Sequence, residues 1–167
     1  MNVHMTYGTV SYLSSIRQKH PEKPILILQD GEKGLAYYEG DDSSVFTEGH
    51  EYETVDDTGE MQESGFVIMN HIPVTDEGRP IFEDRFKNRA GKIESMPGFQ
   101  AIRVLRPKQG NTYILLTQWK DQKSFENWKT SQSFQKAHQH SRNSKGPSFS
   151  AGPSYVTSYV MVEPTDV

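Results

Sequence analysis

The sequence predicts an α+β protein whose C-terminal part is ferredoxin-like: a β-α-β-β-α-β antiparallel sheet carrying both helices on one face. Three observations predict it. Runs of strand-forming residues stand at Phe66–Met69, Phe99–Arg106, Thr112–Trp119 and Tyr155–Val162. Between the first two, apolar residues recur at Phe82, Phe86, Ala90 and Ile93, the spacing of a helix with one buried stripe. A second helical pattern opens at Asp121, a possible cap, with Phe125 and Trp128 on one side.

Taken in order, Phe66-Val-Ile-Met69 is the first strand of this unit and Asn70 sits at its end. The helix is expected over Asp76 to Ser95, stopped by Pro97-Gly98. The two central strands are joined through Pro107-Lys-Gln-Gly-Asn111, which reads as a hairpin. Ser141 to Pro153, rich in Ser, Gly, Pro and Lys, reads as a loop before the last strand.

This unit uses about 100 of the 167 residues, so the front of the chain needs its own account. There, Asn2–Tyr7 alternates weakly as a strand. Thr9 to His20 reads as a helix capped by Thr9, with Val10, Leu13 and Ile16 along one side. Ile25–Leu28 and Leu35–Tyr38 form a hairpin around Asp30-Gly31, and Glu51–Val55 is a further strand before an acidic loop at Asp56 to Glu63. The order β-α-β-β-β is a reduced copy of the second half. The expected organisation is therefore a degenerate ferredoxin-like segment over 1–63, packed as a pseudo-dimer on a unit spanning 64–167, within one monomeric chain.

Charge divides the same way. Glu39 to Glu63 holds ten acids and no Lys or Arg, whereas Arg79 to Lys145 holds fourteen Lys and Arg against five acids. The basic residues fall between apolar positions of helices and strands, which favours a solvated face over a nucleic-acid surface. Zero Cys excludes disulfides and thiolate metal sites. No apolar run reaches the roughly 18 residues of a membrane span, so the expectation is a soluble, cytoplasmic protein. Walker loops, GxGxxG, zinc spacings and nucleophile elbows are absent.

Taken singly, Trp128 reads as a core aromatic, His138 as a surface or satisfied histidine, and Asn70 as an end-of-strand residue. On one straight helix Trp128 and His138 would lie about 15 Å apart along the axis and roughly 80° apart around it. Thr130-Ser-Gln-Ser133 supplies cap residues in mid-run, so a break near Ser131 to Ser133 would fold the two side chains toward one site. His140 and His71 point away from their neighbours His138 and Asn70, and Trp119 reads as core.

Asn70 on the first strand, a strand ending in Trp119, and Trp128-x-x-Ser131-x-x-Phe134-x-x-x-His138 together resemble the antibiotic-biosynthesis-monooxygenase-type heme-degrading enzymes, the IsdG family, and the longer N-terminus is similar to its HmoB type. The resemblance covers about Gly65 to Val162. It implies that heme is both cofactor and substrate, with His138 as proximal iron ligand, Asn70 on the distal side near oxygen, and Trp128 pressing on the porphyrin. It implies oxidative ring opening by molecular oxygen with an external reductant, releasing iron and a linear tetrapyrrole. Two other readings stay open: a cofactor-independent quinol or polyketide monooxygenase of the same fold, with His138 as a base, and a non-catalytic heme-binding module.

Overall fold

The computed structural model describes residues 1–41, 46–87, 93–131 and 150–164. In chain order these form β1 (Asn2–Thr9), α1 (Val10–Lys19), β2 (Leu26–Asp30), β3 (Lys33–Glu39), β4 (His50–Gly59), β5 (Phe66–Pro73), α2 (Arg79–Lys87), a 3-10 turn at Ile93–Ser95, β6 (Phe99–Pro107), β7 (Thr112–Trp119), α3 (Gln122–Lys129) and β8 (Tyr155–Val162). The C-terminal strands lie in the order β8-β5-β7-β6, all antiparallel, which is the ferredoxin-like sheet. The N-terminal strands repeat that order as β4-β1-β3-β2, with α1 as the one helix of this half among the described residues.

The two sheets join edge to edge. β2 pairs with β8 through Ile27↔Val162 to Gln29↔Val160, and β4 pairs with β6 from Tyr52↔Pro107 to Gly59↔Ala101. The pseudo-dimer is thus a closed ring of strands, which leaves no edge open to another chain. Val3, Met5, Leu28, Leu35, Met69 and Leu116 meet inside it, each wholly buried. Outside, Leu13 of α1 covers Ile27 and Ala36 of the N-terminal sheet. Phe82 of α2 covers Val104 and Tyr113 of the other sheet, and its full burial contributes roughly 2–3 kcal/mol.

Local signals explain most boundaries. The Thr9 hydroxyl accepts the Tyr12 N–H at 3.1 Å and starts α1. The β2–β3 hairpin turns at Gly31, whose φ of 61° suits glycine. α2 begins at Arg79 rather than Asp76, because Thr75 accepts the Gly78 N–H at 3.0 Å in a turn and Pro80 falls in the first helical turn, where no N–H is required. It does not run on to Ser95 as one helix: Ile93–Ser95 is a 3-10 turn, and Ile93 packs on Ile102 and Trp119 rather than beside Phe82. Ala90 lies outside the described residues.

The acidic loop expected from Asp56 is instead strand as far as Gly59, with a bulge between Thr54 and Asp56. Of its acids Asp57 stands opposite Arg103 of β6, and neighbouring acids of β3 and β4 pair with basic residues on and just after β6. Glu53 pairs with Arg106 at 3.4 Å, Glu51 with Lys108 at 3.4 Å, and Glu39 of β3 with Arg103 at 2.7 Å. The opposed charges of the two halves therefore meet, in part, along the seam that joins them. Arg106 also holds Glu83 of α2 through Nε and Nη2, at 2.9 and 2.5 Å, and ties the helix to the sheet.

Candidate functional site

Asn70 does not end β5. The strand continues through His71 and Ile72 to Pro73, because those residues keep their pairing with Ile114, Tyr113 and Thr112 of β7. Asn70 therefore sits mid-strand, opposite Leu115 on one side and Val156 on the other. Alternation sends Val67 and Met69 into the ring and leaves Phe66, Ile68 and Asn70 on the outer, helix-bearing face. On that face the Asn70 Oδ1 is buried and has no hydrogen-bond partner among the described residues. Beside it on β8, Val156 and Val160 are 61% and 52% exposed, although both face outward with Asn70 and Phe66.

Trp128 approaches the same face from α3. Asp121 caps that helix by accepting the Ser124 N–H at 2.8 Å and its hydroxyl at 2.7 Å, which also holds the Asp121 carboxyl below its ordinary pKa. The Trp128 ring stacks on Trp119 at 5.6 Å and packs on Phe125 at 6.1 Å, while Phe125 meets Phe66 at 6.1 Å. Trp119 is wholly buried, as its place at the end of β7 led us to expect, and its indole N–H donates to the Thr117 hydroxyl.

The helix stops at Lys129. Thr130 turns its hydroxyl back to the carbonyls of Glu126 and Asn127, and the Ser131 hydroxyl donates to the Trp128 carbonyl at 2.6 Å, so the last turn is closed by side chains. Ser133, Phe134 and His138 lie outside the described residues. Asn70 and Trp128 thus share one face of one sheet. The aromatic group is anchored at Phe66, four residues from Asn70 and so about 13 Å along β5.

His71 takes the opposite direction into the ring, as strand alternation requires. Its Nε2 lies 2.9 Å from the Thr157 hydroxyl, and its ring stacks on Tyr155 at 4.4 Å with planes 5° apart. Burial pushes its pKa down from the ordinary value near 6.5. A folded-state pKa below the unfolded one means that the unfolded chain binds a proton the native state refuses, so stability falls as pH drops through that window. The variant His71→Gln is expected to lose less stability than the parent between about pH 7 and pH 5 in thermal unfolding; equal losses would remove His71 as the cause.

His71 also lines a cavity of about 570 Å³ at one end of the ring, with Tyr7, Tyr52, Tyr155, Thr157 and Tyr159. The sequence reading assigned no role to these residues. Their signal was present in Tyr155-Val-Thr-Ser-Tyr159, whose alternate positions carry hydroxyls, but alternation does not say which face turns inward. Neither Asn70 nor Trp128 lines this cavity. Among the described residues no three His, Asp or Glu side chains gather as a metal-binding group, and no helix is long and apolar enough to cross a membrane.

A ferredoxin-like sheet doubled into a ring, with an amide and an aromatic cluster on its helix-bearing face, defines the class. Residues 65–140 match the model of the antibiotic biosynthesis monooxygenase family. A heme-degrading monooxygenase of Listeria monocytogenes is 26% identical over 129 residues, 77% of each chain. The signal transduction protein TRAP of Staphylococcus epidermidis is 24% identical over 134 residues, 80% of each. A solved structure of a major regulator of staphylococcal pathogenesis shares the fold with a TM-score of 0.83 at 22% identity, covering 98% of this chain and 99% of that one.

Proposed function

We propose that the chain is a heme-degrading monooxygenase of the IsdG type, in which heme is substrate and cofactor together. Ring opening uses molecular oxygen and electrons from an external donor, and releases iron and a linear tetrapyrrole. The unit 64–167 holds the heme, the segment 1–63 completes the ring of strands, and the protein works as a cytoplasmic monomer. The single observation that carries this reading is Asn70: a partly buried side chain whose buried Oδ1 finds no donor among the described residues, set beside half-exposed valines on the face that also carries the aromatic cluster. An orphaned polar group of this kind costs about 1–3 kcal/mol and is retained where a ligand uses it.

The residues present suit the group. Val156 and Val160 offer apolar surface to a porphyrin face, and the Phe125–Trp128 cluster bounds it. When bound, heme supplies the site of oxygen activation and the ring that is cut. By the family resemblance His138, a neutral imidazole donor, would hold the iron. Asn70 would orient oxygen through its Nδ2–H, not through the unpaired Oδ1, which only accepts, and would do so without a titrating proton. Trp128, with its ring stacked on Trp119, resists displacement and would bear on the bound porphyrin.

Heme added to the apoprotein is expected to give a Soret band saturating near one equivalent, and a reductant added in air is expected to bleach it. A Soret band that persists under reductant would make the protein a heme-binding module. No Soret shift at all would overturn the proposal and favour a cofactor-independent quinol monooxygenase.

A further inference from the structure

A ring of eight strands has an interior just wide enough to be filled by side chains or to hold one small ligand. This one does both, at opposite ends. At one end, Arg103 is 4% exposed and donates to Glu39 and to the carbonyls of Thr58 and Gly59, while the buried Gln118 exchanges hydrogen bonds of 2.7 and 2.9 Å with the Gln62 backbone. That end is a plug of satisfied polar groups. The register carries the other ends of the same strands to Tyr52, Pro107, Thr112 and His71, and there the ring leaves about 570 Å³ open. Small-molecule sites run from roughly 300 to 1,000 Å³.

We propose that this open end is a second ligand site, on the face of β5 opposite Asn70, which takes a planar, uncharged aromatic compound bearing a hydroxyl. Tyr155 and Tyr7 offer ring faces, the first already stacked on His71 and the second set edge-on to His50 at 5.8 Å. Several of the polar atoms that line it are unspent. His71 commits Nε2 to Thr157, and its Nδ1 has no partner among the described residues; the same holds for the hydroxyls of Tyr7 and Tyr52. Burial and the neighbouring tyrosines push the Tyr52 hydroxyl up to about 12, so it remains a donor, and burial keeps His71 neutral. The rim carboxylate Glu51 is paired with Lys108 at 3.4 Å, which leaves little net charge to select an ionic ligand. A hydroxyl of the ligand satisfies the imidazole nitrogen and a tyrosine hydroxyl together. This site rests on the ring interior and not on heme binding.

The test uses the full chain and 2-naphthol, with naphthalene as the apolar control. Fluorescence titration is expected to show one saturable site with a Kd of about 10–100 µM. Amide chemical-shift changes should centre on residues 49–52, 107–112 and 155–159. Naphthalene should bind about tenfold more weakly, and Tyr52→Phe and His71→Phe should each weaken 2-naphthol about fivefold. His71→Phe retains the stack on Tyr155, and Tyr52→Phe keeps the ring, so a folding defect in one leaves the other informative. Prior saturation with heme should leave the 2-naphthol affinity unchanged. Absence of saturable binding to 1 mM, unaltered affinity in both variants, or displacement by heme would each overturn the site, whereas failure of the protein to bind heme would not touch it.

Discussion

Arg103→Met is expected to lower the free energy of unfolding by about 3–5 kcal/mol, read as a shift of the urea midpoint, because it leaves Glu39 inside the ring without its cation. The guanidinium is 4% exposed and reaches Glu39 at 2.7 Å, and the Tyr37 hydroxyl donates to the same carboxylate at 2.6 Å. Removing Arg103 also strips the donors from the Thr58 and Gly59 carbonyls. Adding Glu39→Gln to Arg103→Met should recover a large part of the loss, since a neutral amide costs far less to bury than an unpaired carboxylate. The other seam pairs behave differently. Arg106–Glu53 and Lys108–Glu51 are 33–51% exposed at their side chains, so removing Glu53 or Lys108 should cost below about 1 kcal/mol and less still in salt. A loss under 1 kcal/mol for Arg103→Met would show that water reaches Glu39 and that this end of the ring is not closed.

The seam also marks where the sequence stops being legible. The C-terminal unit could be read closely: β7 and β8 begin and end where alternation and the turn residues place them, and Asp121 caps α3, because each of these signals lies within a few residues of the structure it makes. The reduced N-terminal copy was readable in its order of elements for the same reason. Asp56 and Asp57 were not readable as strand, since a run of acids is locally a loop and only their partners on β6, Val104 and Arg103, some fifty residues on, make it pair. The apolar stripe of the first long helix misled in another way. Phe82 and Ile93 are both core residues, but of two different clusters, and periodicity cannot tell one continuous stripe from two. At the site, opposite directions for Asn70 and His71 follow from strand geometry alone, and the interior position of Trp119 from its place at a strand end. The orphaned Asn70 oxygen and the open end of the ring arise from packing between distant elements, and no local pattern announces them.

Asn70→Leu and His138→Ala should separate heme turnover from heme binding. If Asn70 is kept for its action on oxygen, its replacement leaves the affinity for heme within a few-fold of the parent and slows Soret bleaching under reductant by about 100- to 1,000-fold, the usual consequence of deleting one oriented donor. If His138 holds the iron as proposed, His138→Ala, by contrast, should abolish the Soret shift at micromolar heme. The apoprotein supplies an independent check. Its Asn70 Oδ1 is buried and unpaired, between the side chains of a sheet face that leucine would suit, so Asn70→Leu should raise the unfolding free energy by about 1 kcal/mol or more. A gain in stability joined to a loss of turnover is the pattern of a residue retained for chemistry at a cost to folding. If Asn70→Leu destabilises the apoprotein instead, the carboxamide has a structural partner and its role at the heme face fails; if it stabilises the protein and bleaching is unchanged, the amide is a bystander and oxygen must be oriented by another group.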